Sequence, residues 1–397
     1  MKHIGDTIST LGNAYTRHGG LPFGLRPQDR LLHLYVIGQT GTGKSTLLGN
    51  LALQDAAAGT GFCLIDPHGD LADAVTARLS DDVIVWNVAD PDCPYGYNPL
   101  SRVPARYRAL VAAAVIDALK KQWSDAWGAR MEHLLRYALL ALLEKPRADL
   151  RDVMRLFIDS EFRKEATAHI EDPQVRGFWT VEYRALKYAS AVDGVAPIAN
   201  KTGALLAHPV VRRALCEPAT PLRLRQIMDS GGQLIINLAK GRLGADTANV
   251  IGGLMLSMIT SAAFSRQETP SVERQPFMLH VDEFHAFTTA TIAEMLPESR
   301  KYGLGLALAH QHVAQVEPGV MEAVWGNVGS RMVFRVGASD APTLARQLQH
   351  VSEIDLMNLP NYRAVARLMI DGTTSRAFSV DARPWPQESR PRKPEAA

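Results

Sequence analysis

Apolar residues along this chain fall into short unbroken runs separated by longer stretches with helical spacing. Runs at 32–37, 61–66, 82–88, 233–238, 277–282, 303–309 and 331–336 are mostly continuous rather than alternating. Strands buried on both faces of a sheet have that pattern, and alternation with helices predicts a mainly parallel α/β sheet covered on both sides. Between about 98 and 229 the rhythm changes. Met131, Leu134, Leu135, Ala138, Leu139 and Leu142 mark one helical face, and Leu150, Val153, Met154 and Phe157 mark another. This predicts an all-helical insertion at 100–228, inside an α/β domain made of 30–99 and 229–382. Residues 1–29 read as an N-terminal arm, and 362–372 with 374–382 as a hairpin. The Pro- and Arg-rich stretch 383–397 reads as a disordered tail.

Residues 248–264 carry no charge, which raises the question of a membrane span. The stretch is short for one, contains Asn249, Ser257, Thr260 and Ser261, and lies between two predicted strands, so it reads as a buried core helix. The N-terminal residues have no apolar signal core. Three cysteines, Cys63, Cys93 and Cys216, share no metal or redox spacing and suit a reducing, cytoplasmic setting without zinc. A net charge of +2 is too mild to indicate nucleic-acid binding from bulk electrostatics, so any polyanion contact must be local.

Candidate chemistry begins directly after the first apolar run. The loop Gly38, Gln39, Thr40, Gly41, Thr42, Gly43, Lys44, Ser45, Thr46 has the phosphate-loop spacing G-x-x-x-x-G-K-S at a strand-to-helix junction. Its backbone N–H groups would surround a β-phosphate, Lys44 would reach the β- and γ-phosphates, and the Ser45 hydroxyl would face Mg²⁺. The expected ligands are therefore ATP and Mg²⁺. Such a loop alone only binds; hydrolysis needs a metal-orienting acid and a water activator. The run 277–281 ends in Asp282 and Glu283, a Walker B pattern in which Asp282 orients Mg²⁺ and Glu283 serves as general base. The wide separation of Lys44 from Asp282 places further strands and the helical insertion between the two motifs.

Other segments converge on one family. IDPHGD runs from Ile65 to Asp70, ESRKYG holds Arg300 and Lys301, and the run at 303–309 leads to Gln311, where an amide can sense a γ-phosphate or position water. With the phosphate loop and the DE pair, these resemble the HerA/FtsK branch of RecA-like motor ATPases, and are most similar to HerA-like and TraG/TraD-type conjugative coupling ATPases. The resemblance covers about residues 26–372. It implies a RecA-like (ASCE) P-loop core, a hexameric ring of identical subunits that moves DNA through a central channel, and partners such as a nuclease, a relaxase or a secretion channel. Coupling proteins usually begin with membrane helices and HerA proteins with a small barrel; neither is encoded before the phosphate loop here.

The resemblance also favours Arg300 as an arginine acting on a neighbouring subunit's γ-phosphate, with Arg335 and Arg331 as alternatives. Arg300 followed by Lys301 could equally be a solvated helix end. Lys240 and Arg242, in LAKGRLG, could touch phosphates of a threaded strand or form an ordinary surface turn. His280, His285, His310 and His312 flank the Walker B and Gln311 strands and read as supporting residues rather than a metal cluster. His68 could face nucleotide or a neighbouring subunit. A protein-translocating secretion or pilus ATPase and a nucleotide-gated scaffold remain alternatives to a DNA motor.

Overall fold

The computed structural model describes residues 8–386 apart from 17–18, 81, 102, 186–193 and 289. Its main sheet has eleven strands. In chain order these are β1 Ser9–Thr16, β2 Gly19–Leu25, β3 Leu34–Ile37, β4 Gly61–Asp66, β5 Ile84–Asn87 and β6 Gln233–Asn237. They continue as β7 Phe277–Val281, β8 Leu304–His310, β9 Ser330–Val333, β10 Arg363–Arg367 and β11 Phe378–Ala382. The spatial order is β2-β1-β11-β10-β9-β3-β8-β7-β4-β6-β5. Every neighbouring pair from β9 to β5 is parallel. The remaining strands extend the sheet antiparallel.

All seven apolar runs became strands of the parallel part, and the C-terminal hairpin formed as β10 and β11. The segment read as an arm did not stay outside the sheet: β1 and β2 pair with each other, and β1 pairs with β11. This edge was hard to see because it buries little apolar side chain. Only Leu11 and Leu25 among its large hydrophobics are fully covered, while Tyr15 and Leu21 face solvent. The start of the supposed tail is also held. Asn50 Nδ2 donates to the carbonyls of Arg383 and Pro384, and the Trp385 ring sits against Gly49. Residues 387–397 lie outside the described residues.

Helices cover both faces. On one face α1, Lys44–Ala58, packs Leu47, Leu48 and Leu51 against Val36, Leu64 and Met332. The other face is larger. There α2, Ala105–Gln122, and α3, Ala129–Glu144, join α4, Ala245–Phe264, in a core continuous with Ile37, Ile65, Leu279 and Leu308 of the sheet. The described elements between Ala105 and Asp229 are helical except for the two-residue strand Thr220–Pro221. α4 contains the uncharged stretch noted in the sequence and is the one described helix long and apolar enough to cross a membrane. Here it is a core helix, buried over most of its length. Its Gly252 admits the Phe287 ring so closely that a Cβ would lie 2.4 Å from the ring carbons.

Candidate nucleotide-binding and catalytic site

The C-terminal ends of β3, β8 and β7 meet at one edge of the sheet, the edge where open α/β sheets place their ligands. β8 lies between the phosphate-loop strand and the Walker B strand. That order brings three motifs distant in sequence side by side. Gly43 has φ 116°, a left-handed conformation closed to most side chains, and α1 begins at the next residue. The first free N–H groups of α1 therefore point into the loop, as an anion requires.

Polar contacts knit the motifs together. Ser45 Oγ donates to Asp282 Oδ2 at 2.8 Å, and Thr40 Oγ1 donates to Gln311 Oε1 at 2.9 Å. Gln311 Nε2 in turn donates to Glu283 Oε1 at 2.6 Å. Lys44 Nζ donates to the Gln39 carbonyl at 3.1 Å, so the ammonium is folded back onto its own loop. Burial lowers the Lys44 pKa despite the attraction of Glu283 and Asp282. The Asp282 carboxyl is pushed up to about 6 by burial and by the nearby charges of Glu283 and Asp66, against the Ser45 hydrogen bond. Glu283 moves the other way. Burial would raise it, but His285, the Gln311 amide and the Lys44 charge hold it below the ordinary carboxylate range.

This arrangement suits a magnesium nucleotide. Lys44 alone does not offset the buried carboxylates that raise Asp282, and a divalent cation would supply the remaining positive charge. Among the described residues no group of three or more His, Cys, Asp or Glu side chains forms a metal site. The cation would thus be held by Ser45 and Asp282 together with phosphate oxygens, the sparse protein coordination Mg²⁺ prefers.

The structure gives Asp66 a role that its motif did not reveal. Its carboxylate accepts from the N–H groups of His68, Gly69 and Ala72, each at 2.9 Å, and so shapes the turn into the helix Asp70–Thr76. His68 itself is exposed. The Lys240 N–H donates to the Pro67 carbonyl at 2.8 Å, which places Lys240 and the exposed Arg242 beside this turn. Tyr362 carried no motif at all. It has φ 63°, its N–H donates to the Thr42 carbonyl, and its ring lies against Gly43. Only the fold could show this, because the contact joins β10 to the phosphate loop.

The three candidate arginines separate in space. Arg335 stays with its own loop: its Nε donates to Gln39 Oε1 at 3.2 Å, and its carbonyl accepts from the Gln39 N–H. Arg331 is buried, donates to the Trp325 carbonyl at 2.7 Å and stacks over the Trp325 ring. Arg300 is exposed and precedes β8, at the edge opposite the phosphate loop. The length of β8 puts it roughly 20 Å from the phosphate loop of its own chain.

No family model matches the chain, and no curated protein matches it. Solved structures do. The bacterial conjugative coupling protein TrwBdeltaN70, unbound, aligns with TM-score 0.66 and 19% identity over 94% of this chain and 88% of that one. The plasmid coupling protein TrwB in complex with ADP and Mg²⁺ aligns with TM-score 0.67 and 19% identity over 97% of each chain. VirB4 of Thermoanaerobacter pseudethanolicus aligns with TM-score 0.63 and 15% identity over 96% of each chain. At these identities the likeness establishes a shared fold, a RecA-like P-loop architecture along nearly the whole chain.

Proposed function

From a fold held in common with conjugative coupling proteins, and a site that brings the phosphate loop, Asp282, Glu283 and Gln311 together, we propose that this chain is a Mg²⁺-dependent ATPase that moves DNA through a ring of identical subunits. The observation that carries the proposal is the link Thr40–Gln311–Glu283, which joins phosphate loop, sensing amide and general base in one line of hydrogen bonds. A protein that only bound nucleotide would need neither Gln311 nor Glu283 at this edge.

Each residue has a definable task. The loop N–H groups and Lys44 hold the phosphates, and Lys44 must leave the Gln39 carbonyl to do so. Ser45 and Asp282 orient the cation. Glu283, ionised at neutral pH, accepts a proton from the attacking water that Gln311 helps to place. Arg300 faces away from its own phosphate loop, so it can stabilise transition-state charge only on a neighbouring subunit, here taken as one of a hexamer. Lys240 and Arg242, at the same edge as the nucleotide, are the proposed DNA contacts. The helical region 100–228 is the proposed docking part for a nuclease, relaxase or secretion-channel partner.

ATP hydrolysis measured with and without single- and double-stranded DNA, alongside mass in solution, tests the reading. DNA-stimulated turnover by a multimer is the expected result. Turnover indifferent to both DNA forms would point to a polypeptide track, and no turnover at all to a scaffold.

A further inference from the structure

The turn after the Walker B strand holds a second side chain against the proposed general base. Glu283 itself takes a left-handed backbone, φ 46°, and the chain then makes a tight turn over Phe284–Ala286. One oxygen of its carboxylate, Oε1, receives the Gln311 amide. The other, Oε2, is buried and has no hydrogen-bond partner. His285 Nδ1 is also buried without a partner, and it lies 3.3 Å from that Oε2. Two polar atoms, each costly to bury alone, face each other across a gap that a small rotation closes.

His285 is not free to drift from this position. On one side Phe284 is fully buried and meets the His310 ring edge-on at 4.7 Å between centroids. On the other, Phe287 is wedged over Gly252 of α4. Thr288 Oγ1 donates to the His285 carbonyl at 3.1 Å, fixing the backbone between those two anchors. The imidazole is thereby held beside Glu283 by packing that extends to both the sheet and α4.

We infer that His285 is a positioning residue for the hydrolytic reaction: its Nδ1–H donates to Glu283 Oε2 and fixes the direction in which the carboxylate accepts the water proton. The inference rests on Glu283 being the base, as proposed above. Its logic follows from the two oxygens. Gln311 already bridges Thr40 and Glu283, and it must turn toward the γ-phosphate or the water when nucleotide is present. At that point His285 is the remaining described group that steadies the carboxylate, on a backbone too strained to hold one orientation unaided.

The test uses the full chain with saturating Mg-ATP. His285→Phe keeps the ring and removes the donor; His285→Asn puts an amide N–H close to where Nδ1 stands. Expected for His285→Phe is a fall in kcat of about 10- to 100-fold with nucleotide affinity and melting temperature unchanged, and recovery of most of that loss in His285→Asn. In a Glu283→Gln background, His285→Phe should change the residual rate no further, because the two side chains act as one unit. Parental kcat in His285→Phe overturns the inference. So does a loss that Asn fails to recover, or one that comes with weakened nucleotide binding and lowered melting temperature, since either marks a purely structural role. Failure of the underlying reading looks different: Glu283→Gln would then turn over ATP at the parental rate.

Discussion

Asp282, in its proposed role of orienting the cation, would serve hydrolysis at the expense of folding. Its carboxyl is raised to about 6 by burial among other acids, so the folded, nucleotide-free chain holds a proton that the unfolded chain gives up at lower pH. A raised carboxyl contributes its full stability below the unfolded pKa and loses it as pH climbs through the folded value. Asp282→Asn should therefore be more stable than the parent near neutrality, by roughly 3 kcal/mol, and the difference should shrink to roughly 0.5 kcal/mol by pH 4. Denaturant unfolding across pH 4–7.5 without nucleotide measures this. A difference that does not vary with pH would mean that the carboxylate is not strained by its surroundings. Mg²⁺ nucleotide should shrink the gap, since the cation supplies the missing charge.

Among elements, α1 and β7 matter most, because α1 carries Lys44 and Ser45 and β7 leads directly into Asp282 and Glu283. A buried polar knot ties them together away from the site. Asp55 near the end of α1 receives Arg30 NH2 on Oδ2 at 2.8 Å, and His280 of β7 donates Nε2–H to the same oxygen at 2.8 Å. Arg30 also donates to Ser9 Oγ of β1 at 2.9 Å. Burial would raise Asp55, but the Arg30 guanidinium overrides it and holds the carboxyl low, while burial lowers His280 and keeps it neutral. Asp55→Asn leaves Arg30 buried without its counter-ion and should destabilise the chain by about 3–5 kcal/mol. Thermal and denaturant unfolding check this, and a change below about 1 kcal/mol would mean that water replaces the carboxylate. Legibility in the sequence followed the same division. Phe277–Val281 and Leu304–His310 were visible because strands buried on both faces must be continuously apolar, and Lys44 and Glu283 because phosphate chemistry demands fixed spacing. The Arg30–Asp55–His280 knot and Tyr362 were not visible, because each joins residues that only the sheet order brings together; the Asp66 turn is local, but spacing alone did not say which side chain shapes it. β1 and β2 escaped notice because an edge hairpin rich in Gly, Ser and Thr offers no apolar run.

For the whole molecule, the placement of Arg300 makes the proposed assembly testable. An Arg300→Ala subunit and a Glu283→Gln subunit should each be inactive alone. Mixed, a pocket with intact Glu283 can receive Arg300 from its Glu283→Gln neighbour, and ATPase activity should return, because such an arginine can contribute about 10³-fold or more in rate. If subunits exchange and no activity returns, Arg300 does not act across an interface. The antiparallel edge of the sheet has a consequence for how the chain is made. Gly12 of β1 pairs with Ala382 of β11, about 370 residues later. During synthesis at about 5–20 residues per second, the first hairpin waits roughly 20–70 s for its partner strand. A two-stranded hairpin is marginal in water, and until β11 arrives it leaves both backbone edges open to foreign strands, including the β1 edge that β11 later covers. Nascent chains that stop before Phe378 should therefore be far more prone to aggregate, or to be held by chaperones, than the finished protein, even though the phosphate loop and Walker B strand are already complete.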